Sequence, residues 1–126
     1  MKKISTDKAP AAIGPYSQAV VAGDFLYASG QIPIDPKTGN VEAEGITAQA
    51  EQSMINVGEI LKAAGATYDS VVKTTCFLAD IADFAAFNEV YAKYFTQKPA
   101  RSCVAVKDLP KGVLCEVEVT AYLGTS

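Results

Sequence analysis

The side chains able to do chemistry in this chain reduce to Arg101, Glu116, Glu118, Tyr16, a few hydroxyls and, at one remove, the thiol of Cys103. They reduce so far because no histidine is present, which excludes every mechanism that needs an imidazole base, a Ser-His or Cys-His pair, or a histidine metal ligand. Arg101 follows Pro99-Ala100 at the start of an apolar run. A planar guanidinium there can hold a carboxylate through two parallel hydrogen bonds, although the ordinary fate of an arginine at a strand end is solvation or a salt bridge. Glu116 and Glu118 stand two apart, so on a strand they share a face, and crowding of two carboxylates raises the pKa of one of them. Such a carboxyl can exchange protons with an amine or a water near neutral pH; the alternative is a pair of solvated acids on an exposed face. Gly14-Pro15-Tyr16 is a turn followed by an aromatic with a polar tip, either a site residue or a half-buried packing residue. Cys76, Cys103 and Cys115 are odd in number, far apart and without C-x-x-C spacing, so they signal neither a zinc site nor a disulfide framework and read as small core residues. Cys103 is expected to be buried and inert, because a reactive thiolate needs a cationic, exposed setting and Arg101 on the same strand face is the one group that would supply it.

Elements must hold these residues in place. Ala19 to Val21 and Phe25 to Ser29 are short strand-like runs around Gly23-Asp24, a hairpin signal. Pro33 to Asn40, with Pro36 and Gly39, reads as a loop. From Ile46 the apolar residues Ala50, Met54, Val57, Leu61 and Ala64 recur in steps of three and four, the pattern of a helix with one face on a core, and Gly65 supplies its stop. Gly58 within that helix lowers its stability by about 1 kcal/mol relative to alanine, which leaves two readings: a close approach by whatever the helix covers, or a tolerated surface glycine. Val71 to Leu78 alternates and is rich in Val, Thr and Phe, hence a strand. Asp80 or Asp83 can cap a second helix whose Phe84, Phe87, Tyr91 and Tyr94 lie on one stripe. Pro99 ends that region, and Arg101 to Val106 and Val113 to Leu123 are strands joined by a loop containing Pro110 and Gly112. The result is an α+β domain over residues 1–126, a mixed sheet with two helices packed on one face. In the last strand Cys115, Val117, Val119, Ala121 and Leu123 share one face while Glu116, Glu118, Thr120 and Tyr122 share the other. No helix is left to cover that second, half-polar face, which suits a subunit interface or a site.

Composition narrows the partners. The chain has 126 residues, 49% apolar and 20% charged, an ordinary balance for one domain. With 11 basic against 14 acidic residues and a net charge of -3, it lacks the basic footprint that nucleic acid requires. Met1-Lys2-Lys3 runs into Ser5, Thr6 and Asp7 instead of an apolar stretch, so no secretory signal is read and a cytoplasmic location is expected. No window approaches the length of apolar sequence that spans a membrane.

Along almost its whole length the sequence resembles the RidA-type reactive-intermediate deaminases, formerly called the YjgF family. The resemblance is carried by Ala11-Ala12-Ile13-Gly14-Pro15-Tyr16-Ser17-Gln18, Ser29-Gly30-Gln31-Ile32-Pro33, Val72-Lys73-Thr74-Thr75, Pro99-Ala100-Arg101-Ser102-Cys103-Val104, Leu109-Pro110 and Glu116-Val117-Glu118, in this order and at these separations. It implies a chorismate-mutase-like fold, a homotrimer with sites between subunits, and a cofactor-free, metal-free hydrolysis of imines and enamines of 2-oxo acids. The substrates implied are 2-iminopropanoate and 2-iminobutanoate, released by pyridoxal-phosphate enzymes, which the hydrolysis would protect from damage. By the same resemblance, Arg101 holds the substrate carboxylate and Glu116 positions water or handles the proton at the leaving nitrogen. Ser29 and the backbone of Gly30 orient the substrate, the backbone carbonyl of Cys103 accepts from its nitrogen, and Tyr16 and Asn88 line the pocket. In a shared site, Arg101 of one subunit is expected to meet Tyr16 or Asn88 of the next. The rival reading is a non-enzymatic module that binds small carboxylates for regulation, and ribonuclease activity is a third idea attached to relatives. The chain departs from the family in two places: Gly45 stands where an Asp usually caps the first helix, and the segment Phe95 to Pro99 is short, which alters the pocket rim.

Overall fold

The periodicities resolve into β1 (Lys2–Ile4), β2 (Ala19–Ala22), β3 (Phe25–Ala28), α1 (Gly45–Ala63), β4 (Val71–Leu78), α2 (Phe84–Tyr94), β5 (Ala100–Ala105) and β6 (Cys115–Tyr122). A computed structural model describes residues 1–124 of the chain. The strands form one six-stranded sheet in the order β1-β2-β3-β6-β4-β5. Its pairs are antiparallel except β4 with β5, and that parallel pair is joined by α2, the kind of crossover a parallel pair requires. The sheet is mixed and both helices lie on one of its faces, the α+β architecture that the sequence pattern predicts.

That covered face is the core. Val117, Leu78, Met54, Val57, Leu61 and Phe87 are all fully buried, each large apolar side chain contributing about 1.5–3 kcal/mol by leaving water. β6 divides its faces as the alternation predicts: Cys115, Val117, Val119 and Ala121 are buried against the helices. On the opposite face the rings of Tyr122 and Phe25 pack tilted at 52° with centroids 5.3 Å apart, and Tyr27, beside them, is 50% exposed. Among the described residues no helix covers this aromatic face.

Gly58 makes the close approach. A β-carbon there would stand 2.7 Å from Tyr68 Cζ, and the Tyr68 hydroxyl uses the space to donate to the Met54 carbonyl at 2.7 Å. Of the two candidate caps before α2, Asp80 serves: its Oδ1 accepts from Ala82 N at 2.9 Å and starts a short 3-10 turn that leads into the helix, while the Asp83 side chain caps nothing. α1 begins after Glu44 without any side-chain cap, with Gly45 at φ 82°. Strand β1, pairing Lys2–Ile4 with β2, carries no sequence signal because three residues are too few to show alternation.

Buried amides tie down the loops that lead to the site. Gln18 Nε2 donates to the Pro10 carbonyl at 2.8 Å and its Oε1 accepts from Thr6 N at 2.7 Å. Asn56 Nδ2 on α1 donates to the carbonyls of Ile32 and Ile34 at 3.1 and 3.0 Å, which anchors the chain just beyond Gly30. Gln31 exchanges backbone hydrogen bonds with Val117 at 2.7 and 3.1 Å, so the Ser29–Gln31 segment runs beside β6 at Glu116.

Candidate active site

The candidate residues gather into two groups on opposite faces of the sheet. Phe77 on β4 pairs with Val104 on one side and Glu116 on the other, whereas Thr74 pairs with Arg101. Side chains alternate along a strand, so Arg101 and Cys103 emerge on the helix-covered face and Glu116 on the uncovered one.

Arg101 is held from three directions. Its Nη1 donates to Asn88 Oδ1 at 2.6 Å, and its guanidinium lies over the ring of Tyr91 at 4.7 Å and that of Phe84 at 5.5 Å. Tyr91 is itself fixed by a 2.8 Å hydrogen bond between its hydroxyl and that of buried Thr74, the residue beside Arg101 in the sheet. A cation over an aromatic face gains about 0.5–2 kcal/mol, so the fork is aimed before any ligand arrives. Among the described residues the ion pair formed is Lys93 with Glu51, and Arg101 faces no carboxylate. The strand-end salt bridge that was its ordinary alternative is not made. A cavity of about 350 Å³ opens beside it between α2 and the segment leading into β5, with Asn88, Tyr91, Phe95 and Arg101 on its walls.

Asn88 therefore reaches Arg101 from the same chain, not from a neighbouring subunit; it projects from α2, the helix of the crossover between β4 and β5. Phe84 and Tyr91, read from sequence as packing residues of the α2 stripe, turn out to support the guanidinium. The available signal was the polar Asn88 set between them at spacings of four and three. Cys103 is half-buried rather than buried, which corrects the expectation of a core position: β5 is an edge strand and only Cys76 on β4 stands opposite it. Burial raises its thiol pKa and the nearby Arg101 charge opposes the rise. Val106 N donates to Leu78 O at 2.9 Å, so by alternation the Cys103 carbonyl points away from β4 to the open edge. Cys76 and Cys115 are buried as expected, the Cys76 thiol pushed up to about 12 and the Cys115 thiol to about 11, chiefly by burial.

The second group centres on Glu116. Burial pushes its carboxyl above the ordinary value, and the Glu118 charge on the same face adds to the rise, the direction that the two-residue spacing predicts. Gly30 lies directly against it: a β-carbon at Gly30 would be 2.8 Å from the Glu116 carboxyl carbon. Ser29 Oγ donates to the Ser17 carbonyl at 2.6 Å, which leaves its oxygen able to accept. Tyr16, after a tight turn closed by Tyr16 N to Gly14 O at 2.9 Å, is 55% exposed. It lines a separate groove with Ala11, Ala12, Ser17 and Gln18. Within one chain the structure thus brings Arg101, Asn88 and Cys103 together, and Glu116, Gly30 and Ser29 together, but not the two groups to each other. Among the described residues no group of three His, Cys, Asp or Glu side chains converges as a metal site would require.

Residues 6–123 match the model of the family described as Endoribonuclease L-PSP. The crystal structure of RidA from an Antarctic Psychrobacter superposes with a TM-score of 0.93 at 46% identity, covering 97% of this chain and 99% of that one. The chain belongs to the RidA family. Escherichia coli TdcF, solved with bound serine, gives a TM-score of 0.93 at 44% identity over 98% of this chain and 100% of its own. A human protein named 2-iminobutanoate/2-iminopropanoate deaminase is 52% identical over 122 residues, 96% of this chain and 89% of that protein. Among the described residues no helix is long and apolar enough to cross a membrane.

Proposed function

We propose that this RidA-family chain hydrolyses imines of small 2-oxo acids, 2-iminopropanoate and 2-iminobutanoate, to the 2-oxo acid and ammonia. The observation that carries the reading is the Arg101 guanidinium, fixed by Asn88 and Tyr91 beside a small cavity and, among the described residues, paired with no carboxylate. It fits the one group that all 2-imino acids share. The deaminase names of relatives at about half identity support the same chemistry.

Glu116 supplies the proton transfers. As a carboxylate it takes a proton from water while the oxygen attacks the imine carbon, and as the acid it passes that proton to the imine nitrogen to give the carbinolamine. It then takes the hydroxyl proton and delivers it to the amino nitrogen as the C–N bond breaks, which releases the 2-oxo acid and ammonia. A pKa raised by burial keeps both forms accessible closer to neutral pH, where such a base and acid work best. Imine hydration is intrinsically easy, so orientation and one carboxyl suffice.

Because Arg101 and Glu116 emerge on opposite faces of one chain, the site requires a second copy, whose Glu116, Gly30 and Ser29 face the first copy's Arg101. A homotrimer that buries the uncovered aromatic face around Phe25, Tyr27 and Tyr122 meets this requirement, as exposed apolar patches mark such interfaces. The ribonuclease description of the family model has less support here, since the chain has no histidine and a net charge of -3. The test couples a serine or threonine dehydratase, a pyridoxal-phosphate enzyme that releases these imines, to the purified protein and follows 2-oxo acid formation. Acceleration over the buffer rate is expected. An unchanged rate would favour a carboxylate-binding module without catalysis.

A further inference from the structure

The cavity beside Arg101 has a second cation on its wall. Lys98 lines it together with Arg101, and no aspartate or glutamate does, although the chain as a whole carries 14 acidic and 11 basic residues. Among the described residues neither cation is in an ion pair. The backbone at Lys98 is unusual as well. Its φ is 55°, in the left-handed region, where a residue with a β-carbon sits at a cost of about 1–2 kcal/mol. It also precedes Pro99, a position that ordinarily holds extended backbone. A 3.1 Å hydrogen bond from Lys98 N to the Phe95 carbonyl closes this turn, and the short segment between α2 and β5 delivers the lysine to the pocket rim. One carboxylate satisfies Arg101. The Glu116 that a second copy brings acts at the imine carbon, so the positive charge of Lys98 at the rim calls for a second carboxylate on the ligand.

We propose that Lys98 is a specificity-determining residue and that this cavity takes 2-imino acids bearing a second carboxylate, the imines of four- and five-carbon dicarboxylic 2-oxo acids. The inference rests on the reading of Arg101 as the holder of the carboxylate next to the imine carbon. With that end fixed by the two-pronged guanidinium, the side-chain carboxylate reaches the rim, where a flexible ammonium accommodates either chain length as a point charge. The volume of about 350 Å³ is at the small end of ligand sites and suits a molecule of this size.

Two measurements test it. The first compares kcat/KM for 2-iminosuccinate and 2-iminopropanoate, each generated in place from aspartate or alanine by an amino-acid oxidase. The second titrates the protein with 2-oxoglutarate and with 2-oxobutanoate by calorimetry, which needs no turnover. An exposed ion pair is worth up to about fivefold, so the dicarboxylate should be favoured by about that factor in both. Lys98→Gln should abolish the preference and Lys98→Glu should reverse it; both changes are at an exposed position, and circular dichroism checks the fold. Equal binding of the two oxo acids by the native protein, or a ratio untouched by Lys98→Gln, overturns the inference even if 2-iminopropanoate is hydrolysed rapidly. A Lys98-dependent preference in binding with neither imine hydrolysed faster than in buffer upholds the pocket's selectivity and refutes the hydrolase reading instead.

Discussion

Replacing Gly30 by alanine should cripple turnover while leaving the fold nearly as stable as before. The new β-carbon would run into Glu116 Oε2 and stand 2.8 Å from the carboxyl carbon and 3.0 Å from Cγ, whereas ordinary contact begins at 3.4 Å. Glu116 must therefore retreat by at least about 0.6 Å, a displacement of the order that costs up to about 100-fold when a reacting group is misplaced by 1 Å. The stability side nearly cancels. Gly30 does not adopt a left-handed φ, so alanine gains about 0.4–1 kcal/mol by restricting the unfolded chain, while pushing a flexible side chain off its rotamer costs about 0.5–1.5 kcal/mol. The assay pairs kcat on 2-iminopropanoate with a urea denaturation curve. Turnover at the native level with unchanged stability would mean that the position of the Glu116 carboxylate does not matter to the chemistry. Destabilisation beyond about 3 kcal/mol would mean that backbone yields rather than the side chain, against the contact argument.

Arg101→Ala should lower kcat/KM by at least about 100-fold, and Arg101→Lys should recover little of it, because an ammonium cannot reproduce the two-pronged geometry; a lysine variant with most of the activity would show that a point charge is enough. Glu116→Gln should lower kcat by about 100-fold or more while calorimetric binding of 2-oxobutanoate is largely kept. Since the folded-state pKa of Glu116 is raised, its stability contribution is fully present below the unfolded carboxylate range and is lost as pH rises through the folded value. The glutamine variant should therefore gain stability relative to the native protein as pH rises through that window, and a gap that does not widen contradicts the burial argument. In Glu118→Gln, removal of the neighbouring charge should move the carboxylate limb of the kcat/KM profile to lower pH; no movement would mean that Glu118 does not act on Glu116. Tyr91→Leu should raise KM for the imine more than Tyr91→Phe does, because only leucine removes the ring beneath the guanidinium, whereas phenylalanine mainly strands the buried Thr74 hydroxyl at about 1–3 kcal/mol of stability.

Much of this arrangement was legible in the sequence because it depends on alternation and helical repeat. The hairpin around Gly23, β4 from Val71 to Leu78 and the two-faced β6 follow from period two, and α1 and α2 from steps of three and four. The raised Glu116 carboxyl followed from its spacing to Glu118, although burial outweighs the neighbouring charge. What stayed hidden depends on pairing across elements. The register of Thr74 with Arg101 on the edge strand decides that the guanidinium lands over Tyr91, and nothing in the one-dimensional pattern of α2 distinguishes a ring that packs from a ring that carries a cation. The half-exposure of Cys103 likewise follows from β5 lying at the sheet edge, a consequence of strand order rather than of local sequence. Lys98 reads as an unremarkable loop lysine until its left-handed backbone and its place on the cavity wall are seen together.

The central claim is that Arg101 and Glu116 act on one imine from two copies of the chain, and subunit mixing tests it most directly. Arg101→Ala and Glu116→Gln chains, each inactive alone, are unfolded together in equal amounts, refolded and assayed on 2-iminopropanoate supplied by a serine dehydratase. If each site takes Arg101 from one copy and Glu116 from the next, random assembly restores both residues at about one quarter of the interfaces, and activity near a quarter of the native value is predicted. Mixed assemblies that stay as inactive as either parent would contradict the shared site and place both residues' action within a single chain.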